Sequence, residues 1–376
     1  MSHDLLIAGD FCPQNRLAPV LKSQSGAEIF GAALPLIQAA RLSIVNLECP
    51  LTSASGGLAK IGPTLQADPA AAQVLVEAGF GLATLANNHI MDYGRAGLES
   101  TLVHCREAGL TTVGAGFNLE EAESTSFFQL AGKEVAFVNL TENEFSTVQK
   151  NGAGAHPLNP LRNWSTIKAA AARARYVVVV FHGGHEMYAL PSPRIQQLFR
   201  FFADAGACAV VGHHPHVSSG YEYYHGVPLV YSLGNFLFDD PRVQRADWHL
   251  GFMVGLDLGE RVEIKCYPYA QCRQKPGLQL LEKEELAAFE ENLARLNQII
   301  ADSNLLEAAF DEFCAQVARR YRAFLEPLSG TWLGILQRQK LFPSLLSPRK
   351  KRLYHNLLRC ESHHEVLLRL FQNSQL

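Results

Sequence analysis

The sequence is organised around short, nearly uninterrupted apolar runs that are rich in β-branched residues and are separated by segments with helical spacing. Continuous apolarity, without alternation of apolar and polar residues, is typical of strands buried on both faces of a sheet. The pattern therefore predicts an α/β layer structure with strands at LLIAG (5–9), LSIVN (42–46), LATLA (82–86), TTVGAG (111–116), VAFVNL (135–140), YVVVVF (176–181), ACAVVG (207–212) and PLVYSLG (228–234).

The segments between these runs carry the signals of helix ends. Asp, Ser or Asn stands near the start and Gly near the end, as helix caps prefer, in segments such as DPAAAQVLVEAGF, GLESTLVHCREAGL, NWSTIKAAAARARY and SPRIQQLFRFFADAGA. A later stretch, GFMVGLDLGERVEIKCYPYA, has two β-rich runs around Gly259 and Glu260. That arrangement predicts a hairpin that closes the sheet.

From about Leu280 onward the sequence has long helical patterns and no further strand signal. With 376 residues, the chain has room for one large α/β domain and a smaller appendage. We therefore predict an α/β domain over 1–280 and a helical C-terminal extension over 281–376. The basic cluster of Arg349, Lys350, Lys351 and Arg352 could contact anionic headgroups or be the solvated start of a helix.

Composition narrows the class of protein. Hydrophobic residues make up 48% and charged residues 18%, with a formal net charge of −3, so neither disorder nor bulk attraction to nucleic acid is indicated. The N-terminal segment lacks a basic region and predicts a first strand in place of a signal peptide. No apolar stretch approaches the roughly 18 residues of a membrane span, and the expectation is a cytoplasmic protein. Eight cysteines without C-x-x-C spacing favour reduced thiols over a zinc ribbon or a disulfide framework.

Polar, metal-competent residues follow buried strands at several places in the chain. In open α/β sheets, ligands bind outside the carboxyl ends of the strands, so these side chains should converge in one crevice. Taken alone, Asp10 could be a helix N-cap and Glu48 could be an exposed turn residue. The set consists of Asp10, Glu48, Asn88, His89, His182 and the run His213, His214, Pro215, His216.

The motif LANNHIMDYG combines ligand and proton-donor groups. Asn88 can bind a metal through its amide oxygen, while His89 can stand just outside the metal shell as a proton donor. The alternative is an Asn-rich turn. In FHGGHE, Gly183 and Gly184 would let the backbone approach a bound ion or phosphate.

The run VVGHHPHVSSG is the strongest metal signal in the chain. His214 and His216 form an H-x-H pair, which on extended backbone points both rings the same way, and imidazole suits zinc, iron and manganese. Together with the other candidates, the mixed nitrogen and oxygen ligands are too many for one tetrahedral zinc. They fit two adjacent divalent transition metals (Mn, Fe or Zn) and the chemistry of phosphoester hydrolysis.

In this order, the motifs GD, NLE, LANNHIMDYG, VGAG, FHGGHE, VVGHHPHV and YSLGNFLFD resemble those of the CapA family of poly-γ-glutamate capsule biosynthesis proteins, over roughly residues 4–240. The resemblance implies a calcineurin-like metallophosphoesterase fold, a four-layered α/β/β/α sandwich. It implies His89 as the catalytic histidine and Glu48 as the bridging carboxylate, with Glu186 and Asn235 near the site. The metal ligands that it implies are Asp10, Glu48, Asn88, His182, His214 and His216.

The chain departs from the wider pattern at three positions. Cys12 stands where metallophosphoesterases carry the His of D-x-H, and Cys49 follows Glu48 where they carry an Asp-rich motif. A thiolate at Cys12 could therefore serve as a soft ligand that favours zinc. CapA proteins commonly have an aromatic residue before the Glu, whereas here Gly183 and Gly184 lead to His185, which could widen the pocket.

Three functional hypotheses remain open. The first is a two-metal phosphoester hydrolase that acts on a phosphorylated or polyanionic substrate in capsule, poly-γ-glutamate or exopolysaccharide synthesis. The second is a non-hydrolytic accessory or binding subunit of a polymer-synthesis complex, and the third is metal-dependent amide chemistry on γ-glutamyl substrates. Contact with a membrane is allowed but not required, and a nucleic-acid partner is not expected.

Overall fold

The computed structural model describes residues 2–22, 26–58, 60, 62–150, 152–325, 328, 330–351 and 354. The chain forms two compact units, Met1–Glu307 and Ala308–Leu376. The helices of the described residues are α1 (Leu17–Leu21), α2 (Leu34–Ala39), α3 (Ala71–Ala78), α4 (Gly94–Ala108), α5 (Leu119–Ala122), α6 (Pro160–Arg173), α7 (Pro193–Asp204), α8 (Lys283–Ala301), α9 (Ser303–Leu325) and α10 (Trp332–Arg338), with 3₁₀ helices at Gly26–Ala33 and Ala246–His249.

The first sheet has eight strands within the described chain. They are β1 (Leu5–Cys12), β2 (Leu42–Leu47), β3 (Phe80–Thr84), β4 (Thr111–Val113), β13 (Asn235–Phe238), β14 (Leu250–Leu258), β15 (Val262–Gln271) and β16 (Leu278–Leu280). Their order is β16-β15-β14-β1-β2-β3-β4, and β13 also pairs with β1. Strands β1 to β4 are parallel, whereas β14 lies antiparallel to β1.

The second sheet has six strands within the described chain. They are β6 (Ser126–Leu130), β7 (Lys133–Thr141), β9 (Tyr176–His182), β10 (Ala209–His213), β11 (Tyr221–Tyr224) and β12 (Val227–Val230), in the order β11-β12-β10-β9-β7-β6. The central strands β7, β9, β10 and β12 are parallel. A small ladder joins β5 (Ala115–Gly116) to β8 (Gly154–Ala155).

Three apolar cores separate four layers. Alternate residues of a strand point to opposite faces of its sheet. Val178 belongs to the core between the two sheets, whereas its neighbour Val179 belongs to the core that also contains Ile167 of α6 and Phe199 of α7. The strands of the first sheet show the same alternation. Ile7 of β1 faces the second sheet, and the residues before and after it in the strand belong to the core beside the outer helices. The predicted α/β/β/α layering is therefore confirmed, and so is the predicted hairpin, which is formed by β14 and β15.

Some strands were not predicted. Strands β6 and β11 lie at the edges of the second sheet and are only partly buried, so they lack the continuous apolar run that marks a central strand. Strand β13 has only four residues and begins at Asn235, and β16 has three. Short or half-exposed strands give a weak sequence signal.

Helix α8 belongs to the first compact unit and lies beyond the predicted domain boundary at residue 280. Phe289 and Leu293 of this helix pack in the core between the sheets, and Ile300 packs in the core outside the second sheet. The division into 1–280 and 281–376 stays a prediction of domain organisation. The last predicted helix, KRLYHNLLRCESHHEVLLRLF, lies almost wholly outside the described residues. Within the described part of the chain, no helix combines the length and apolar character needed to cross a bilayer.

Candidate metal centre

The candidate site lies where the parallel strands of both sheets end. Glu48 directly follows β2, while His182 and His213 are the last residues of β9 and β10. Asp10, predicted to end its strand, instead lies inside β1, where the pairing with β2 shifts register between Ala8 and Asp10. Such bulges redirect side chains and are common beside active sites. The strand therefore continues past Asp10, and the carboxylate still reaches the common edge.

His182 is the hub of one group of candidate ligands. Its Nε2 lies 3.0 Å from Asn88 Oδ1, 3.1 Å from His214 Nδ1 and 3.4 Å from Glu48 Oε1. All four side chains are buried. Four atoms that can carry lone pairs thus face one another, an arrangement that suits a shared cation.

Glu48 connects this group to a second one. His216 Nε2 lies 3.6 Å from Glu48 Oε1, and His216 Nδ1 lies 3.6 Å from Asp10 Oδ2. Two metal-competent triads result among the described residues, Asp10 with Glu48 and His182, and Glu48 with His214 and His216. Both triads contain Glu48, which is the geometry required of a carboxylate shared by two ions.

The environment of Glu48 tests whether a cation fits. The residue is fully buried, and neither carboxylate oxygen has a hydrogen-bond partner among the described residues. Burial raises the pKa of Glu48 well above its ordinary value, and the nearby charges of Asp10 and Glu186 raise it further. Burying an unpaired charge is costly, and a divalent cation between these groups would remove that cost. The donor set therefore fits divalent metal ions.

The histidines are in the protonation state that a metal requires. Burial lowers the pKa of His182 well below its ordinary value, and the neighbouring His214 lowers it further. Burial likewise lowers the pKa of His214. Both rings are therefore neutral near pH 7 and keep a lone pair available for coordination.

The H-x-H pair differs from expectation in its backbone. His214 has a φ of 97° and His216 a φ of 60°, so neither is on extended backbone. Left-handed conformations are uncommon for residues other than glycine, and they concentrate at functional sites. The two rings still lie side by side, with centroids 5.9 Å apart. The expectation of extended backbone for this pair was therefore wrong, whereas the prediction that both histidines serve one metal site stays a prediction.

His89 lies beside the candidate ligands, and its Nδ1 atom contacts Asp92 and Lys60. Its Nδ1 is 2.7 Å from Asp92 Oδ2, and the Lys60 ammonium pairs with the other oxygen of Asp92. Lys60 Nζ also lies 3.1 Å from His89 Nδ1. Burial lowers the pKa of His89, while the Asp92 carboxylate opposes that shift. The contact with Asp92 fixes the ring orientation and leaves Nε2 as the free ring atom.

Two further predicted residues orient candidate ligands. His213 Nδ1 lies 2.9 Å from Asp10 Oδ1, and Asn235 Oδ1 lies 3.0 Å from His216 Nδ1. Contacts of this kind fix the ring and carboxylate orientations of metal ligands. His213 and Asn235 thus each contact a candidate ligand, and their place in the lining of a functional site stays a prediction.

Three other predicted residues lie outside the two triads. Cys12 is fully buried, and burial, followed by its contact with Cys49, raises the pKa of its thiol well above the ordinary value. The thiol therefore stays protonated, and neither triad of the described residues includes a cysteine. Glu186 acts on Glu48 and His214 through its charge. His185 is half-buried beside Tyr188, their ring centroids 6.4 Å apart.

Gly183, the first glycine after His182, has a different role from the one expected. A Cβ at Gly183 would lie 2.6 Å from Glu142 Cγ and 2.8 Å from a ring carbon of Phe181, so a protein side chain fills the space predicted for an ion or phosphate. Glu142 Oε2 accepts a hydrogen bond of 2.7 Å from the Gly184 amide, and its other oxygen pairs with Arg194. Gly183 therefore makes room for the carboxylate that braces the loop.

Sequence reasoning missed several residues of the site. The Asn46 amide donates 2.8 Å to Asp10 Oδ1 and lies 3.2 Å from His182 Nδ1. The sequence feature that could have pointed to Asn46 is its polar side chain within the mostly apolar strand β2. Glu144 Oε1 lies 3.9 Å from His214 Nε2, and burial raises its pKa. Lys60 had no local pattern that marked it, and Asp92 lies in the LANNHIMDYG motif but was given no role in the site.

These features define a class, a four-layered α/β protein with a candidate two-metal centre at the carboxyl ends of both sheets. The chain matches the family described as Bacterial capsule synthesis protein PGA_cap over residues 4–240, and it belongs to that family. The predicted resemblance to capsule biosynthesis proteins, including its extent, is thereby confirmed.

Two relatives illustrate the match. The PGA biosynthesis protein CapA of Bacillus subtilis (strain 168) is 34% identical over 245 residues, which cover 63% of this chain and 64% of that protein. The Capsule biosynthesis protein CapA of Bacillus anthracis is 37% identical over 181 residues, which cover 46% of this chain and 44% of that protein. The chain thus aligns with less than two thirds of the length of either relative.

Among solved structures, a phosphatase from Mycoplasma pneumoniae aligns with 77% of this chain and 98% of its own, at 15% identity and a TM-score of 0.42. A likeness of this extent says nothing about the reaction.

Proposed function

We propose that the protein is a hydrolase that uses two divalent transition metal ions (Mn, Fe or Zn) to cleave a phosphoester during the synthesis of a capsule or a poly-γ-glutamate polymer. The observation that carries the proposal is Glu48, a fully buried carboxylate without a hydrogen-bond partner among the described residues, shared by two metal-competent triads. The names of the two Bacillus relatives support the polymer context.

The proposed ligands divide between the two triads. Asp10, Glu48 and His182 would hold one ion, and Glu48, His214 and His216 the other, with Asn88 contributing its amide oxygen beside His182. When bound, the ions would activate a water molecule as the nucleophile and neutralise charge on the phosphoryl group.

His89 is the proposed general acid. Asp92 accepts a hydrogen bond from the Nδ1–H group and stabilises the imidazolium, so Nε2 can donate its proton to the departing alkoxide oxygen. Lys60 neutralises the other oxygen of Asp92 and limits how far that carboxylate raises the basicity of the ring. The three side chains form a chain of contacts in which only His89 would meet the substrate.

The test is turnover of bis(p-nitrophenyl) phosphate and p-nitrophenyl phosphate by metal-loaded protein. His89→Gln should lower kcat/KM by roughly 10²–10⁴-fold, the usual contribution of a general acid, with the metal content unchanged. His104→Gln is the matched control, because His104 lies in α4 and its hydrogen bonds to described residues stay within that helix.

Two outcomes would count against the proposal. One is metal-replete protein that turns over neither phosphomonoesters nor phosphodiesters, and the other is a His89→Gln variant as active as the wild type. A non-hydrolytic accessory role predicts that polymer production in a capsule-forming host survives His89→Gln.

A further inference from the structure

The region that follows α9, in the second compact unit, has an unusual charge distribution. Residues 327–360 contain seven Lys and Arg and no Asp or Glu, whereas the whole chain has a formal net charge of −3. The exposed basic side chains of this region are Arg338, Lys340, Arg349, Lys350 and Lys351, and none has an ion-pair partner among the described residues. Positive charge is thus concentrated and left uncompensated here.

The same region exposes large apolar side chains. Trp332 is 68% exposed and Ile335 is 49% exposed, and they share one face of α10 because they are three residues apart. Two further exposed leucines lie in the segment that follows α10, Leu341 at 68% exposure and Leu345 at 42%. Single exposed apolar residues are ordinary, but a group of them marks an interaction surface.

Local hydrogen bonds hold these side chains at the surface. The Thr331 hydroxyl caps α10 by accepting 3.3 Å from the Gly334 amide. After the helix, the Leu341 amide donates 2.8 Å to the Leu336 carbonyl, and Gln337 Nε2 donates 3.2 Å to the Pro343 carbonyl. The capped helix and the turn behind it therefore form one folded segment whose apolar and basic groups face outward.

We propose that residues 332–351 are a docking surface for the anionic headgroup region of a phospholipid bilayer. Exposed Trp and Leu side chains beside Lys and Arg are the composition that seats a segment at a membrane interface, with apolar groups below the headgroups and cations among them. A hydrophilic polyanion would engage the cations but gain nothing from Trp332 and Leu341. The inference uses no residue of the metal centre and is independent of the proposed reaction.

Co-sedimentation of the full-length protein with lipid vesicles tests the docking surface. Vesicles of phosphatidylcholine with about 30% phosphatidylglycerol should bind the protein at least ~10-fold more strongly than phosphatidylcholine alone, because each cation near an anionic surface contributes to binding. The charge reversal R349E/K350E/K351E should lower binding by at least ~10-fold. The apolar change W332S/I335S should also lower it by ~10-fold.

Matched controls separate the surface from general effects of charge and hydrophobicity. R106E/K265E/K275E reverses three exposed cations of the first unit, and L161S removes a leucine that is 83% exposed on α6. Both controls should bind vesicles like the wild type. Thermal unfolding followed by circular dichroism checks that every variant folds, and Trp332→Ser alone replaces the double variant if that one does not.

Three results would overturn the proposal. They are failure of the wild type to bind anionic vesicles, equal binding to neutral vesicles, and unchanged binding of the two surface variants. Poly-γ-glutamate is the competing occupant. If it binds the wild type and R349E/K350E/K351E abolishes that binding while W332S/I335S preserves it, the surface is a polyanion site and the lipid assignment is wrong.

Discussion

At the scale of single residues, Glu48 is the side chain whose surroundings say most about function. It lies among His182, His216 and Asp10, yet its oxygens have no hydrogen-bond partner among the described residues. Native proteins seldom leave a buried carboxylate in that state without an ion or a catalytic reason. The packing of this one residue therefore supports the proposal of a cation beside it.

The sequence singled out residues by their position after a strand, and the structure brings the candidate ligands chosen in this way close together. Asp10, His182 and the histidines of the VVGHHPHV run could be found because a polar residue that follows an apolar run is conspicuous. Contacts between side chains that are far apart in the sequence could not be predicted. Asn46, for example, contacts His182 across a separation of 136 residues, and no local pattern encodes that contact.

A second residue, His156, makes stability depend on pH. It is buried, with Nδ1 2.9 Å from the Asn139 carbonyl and Nε2 2.9 Å from the Asn163 amide nitrogen. Burial lowers the pKa of His156 to about 4, against about 6.5 in an unfolded chain. A neutral ring is favoured in the folded state, so its contribution is complete above about pH 6.5 and is lost as the pH falls toward 4.

When the pH falls from 7.5 to 5, we expect the protonation of His156 to lower the free energy of unfolding by about 2 kcal/mol. Urea unfolding at the two pH values measures this loss of stability. In His156→Gln the loss should be smaller than in the wild type by about 2 kcal/mol, whatever the effect of the substitution on stability at pH 7.5. A loss between the two pH values that is as large in His156→Gln as in the wild type would show that His156 is not responsible.

At the scale of elements, the central strands were predictable and the edges were not. Strand β9 is apolar up to its last residue, His182, because both of its faces are buried, and that pattern has no competing interpretation. Strand β11 is half-exposed at the edge of its sheet, so it carries polar as well as apolar residues and lacks a continuous apolar run. The left-handed backbone at His214 and His216 also had no sequence signal, because glycine is the usual marker of that conformation.

Helix α8 was predicted as a helix but assigned to the C-terminal extension. Its contacts explain why it lies in the first unit: Gln196 Nε2 of α7 donates 2.8 Å to the Ile300 carbonyl, and Asn297 Oδ1 accepts 2.7 Å from the Tyr221 amide at the start of β11. An amphipathic pattern identifies a helix and its buried face, but not which neighbouring surface that face covers.

Ile300→Ala should therefore destabilise the protein by about 2–5 kcal/mol, as for other buried aliphatic residues truncated in a core. Chemical denaturation measures the change. Leu305→Ala is the matched variant, since Leu305 is 50% exposed, and it should cost less than about 0.5 kcal/mol. If the two variants are equally stable, α8 does not contribute to the first unit in the way its contacts indicate.

At the scale of the whole molecule, the candidate centre depends on the complete fold. Its ligand groups come from segments between Asp10 and His216, carried by strands of both sheets. The four-layer architecture brings the carboxyl ends of these strands to one edge, which is how a motif pattern dispersed over two hundred residues becomes one site. Family membership covers the same part of the chain, residues 4–240.

The metal content of protein purified without chelator and reconstituted with Mn²⁺, Fe²⁺ or Zn²⁺ tests the two-ion centre. Elemental analysis should give about two ions per chain in the wild type, because two triads share Glu48. Glu48→Gln, which keeps the shape but removes the shared charge, should retain one ion or none. Wild-type protein that binds no ion, or a Glu48→Gln variant that still binds two, would contradict the two-metal centre.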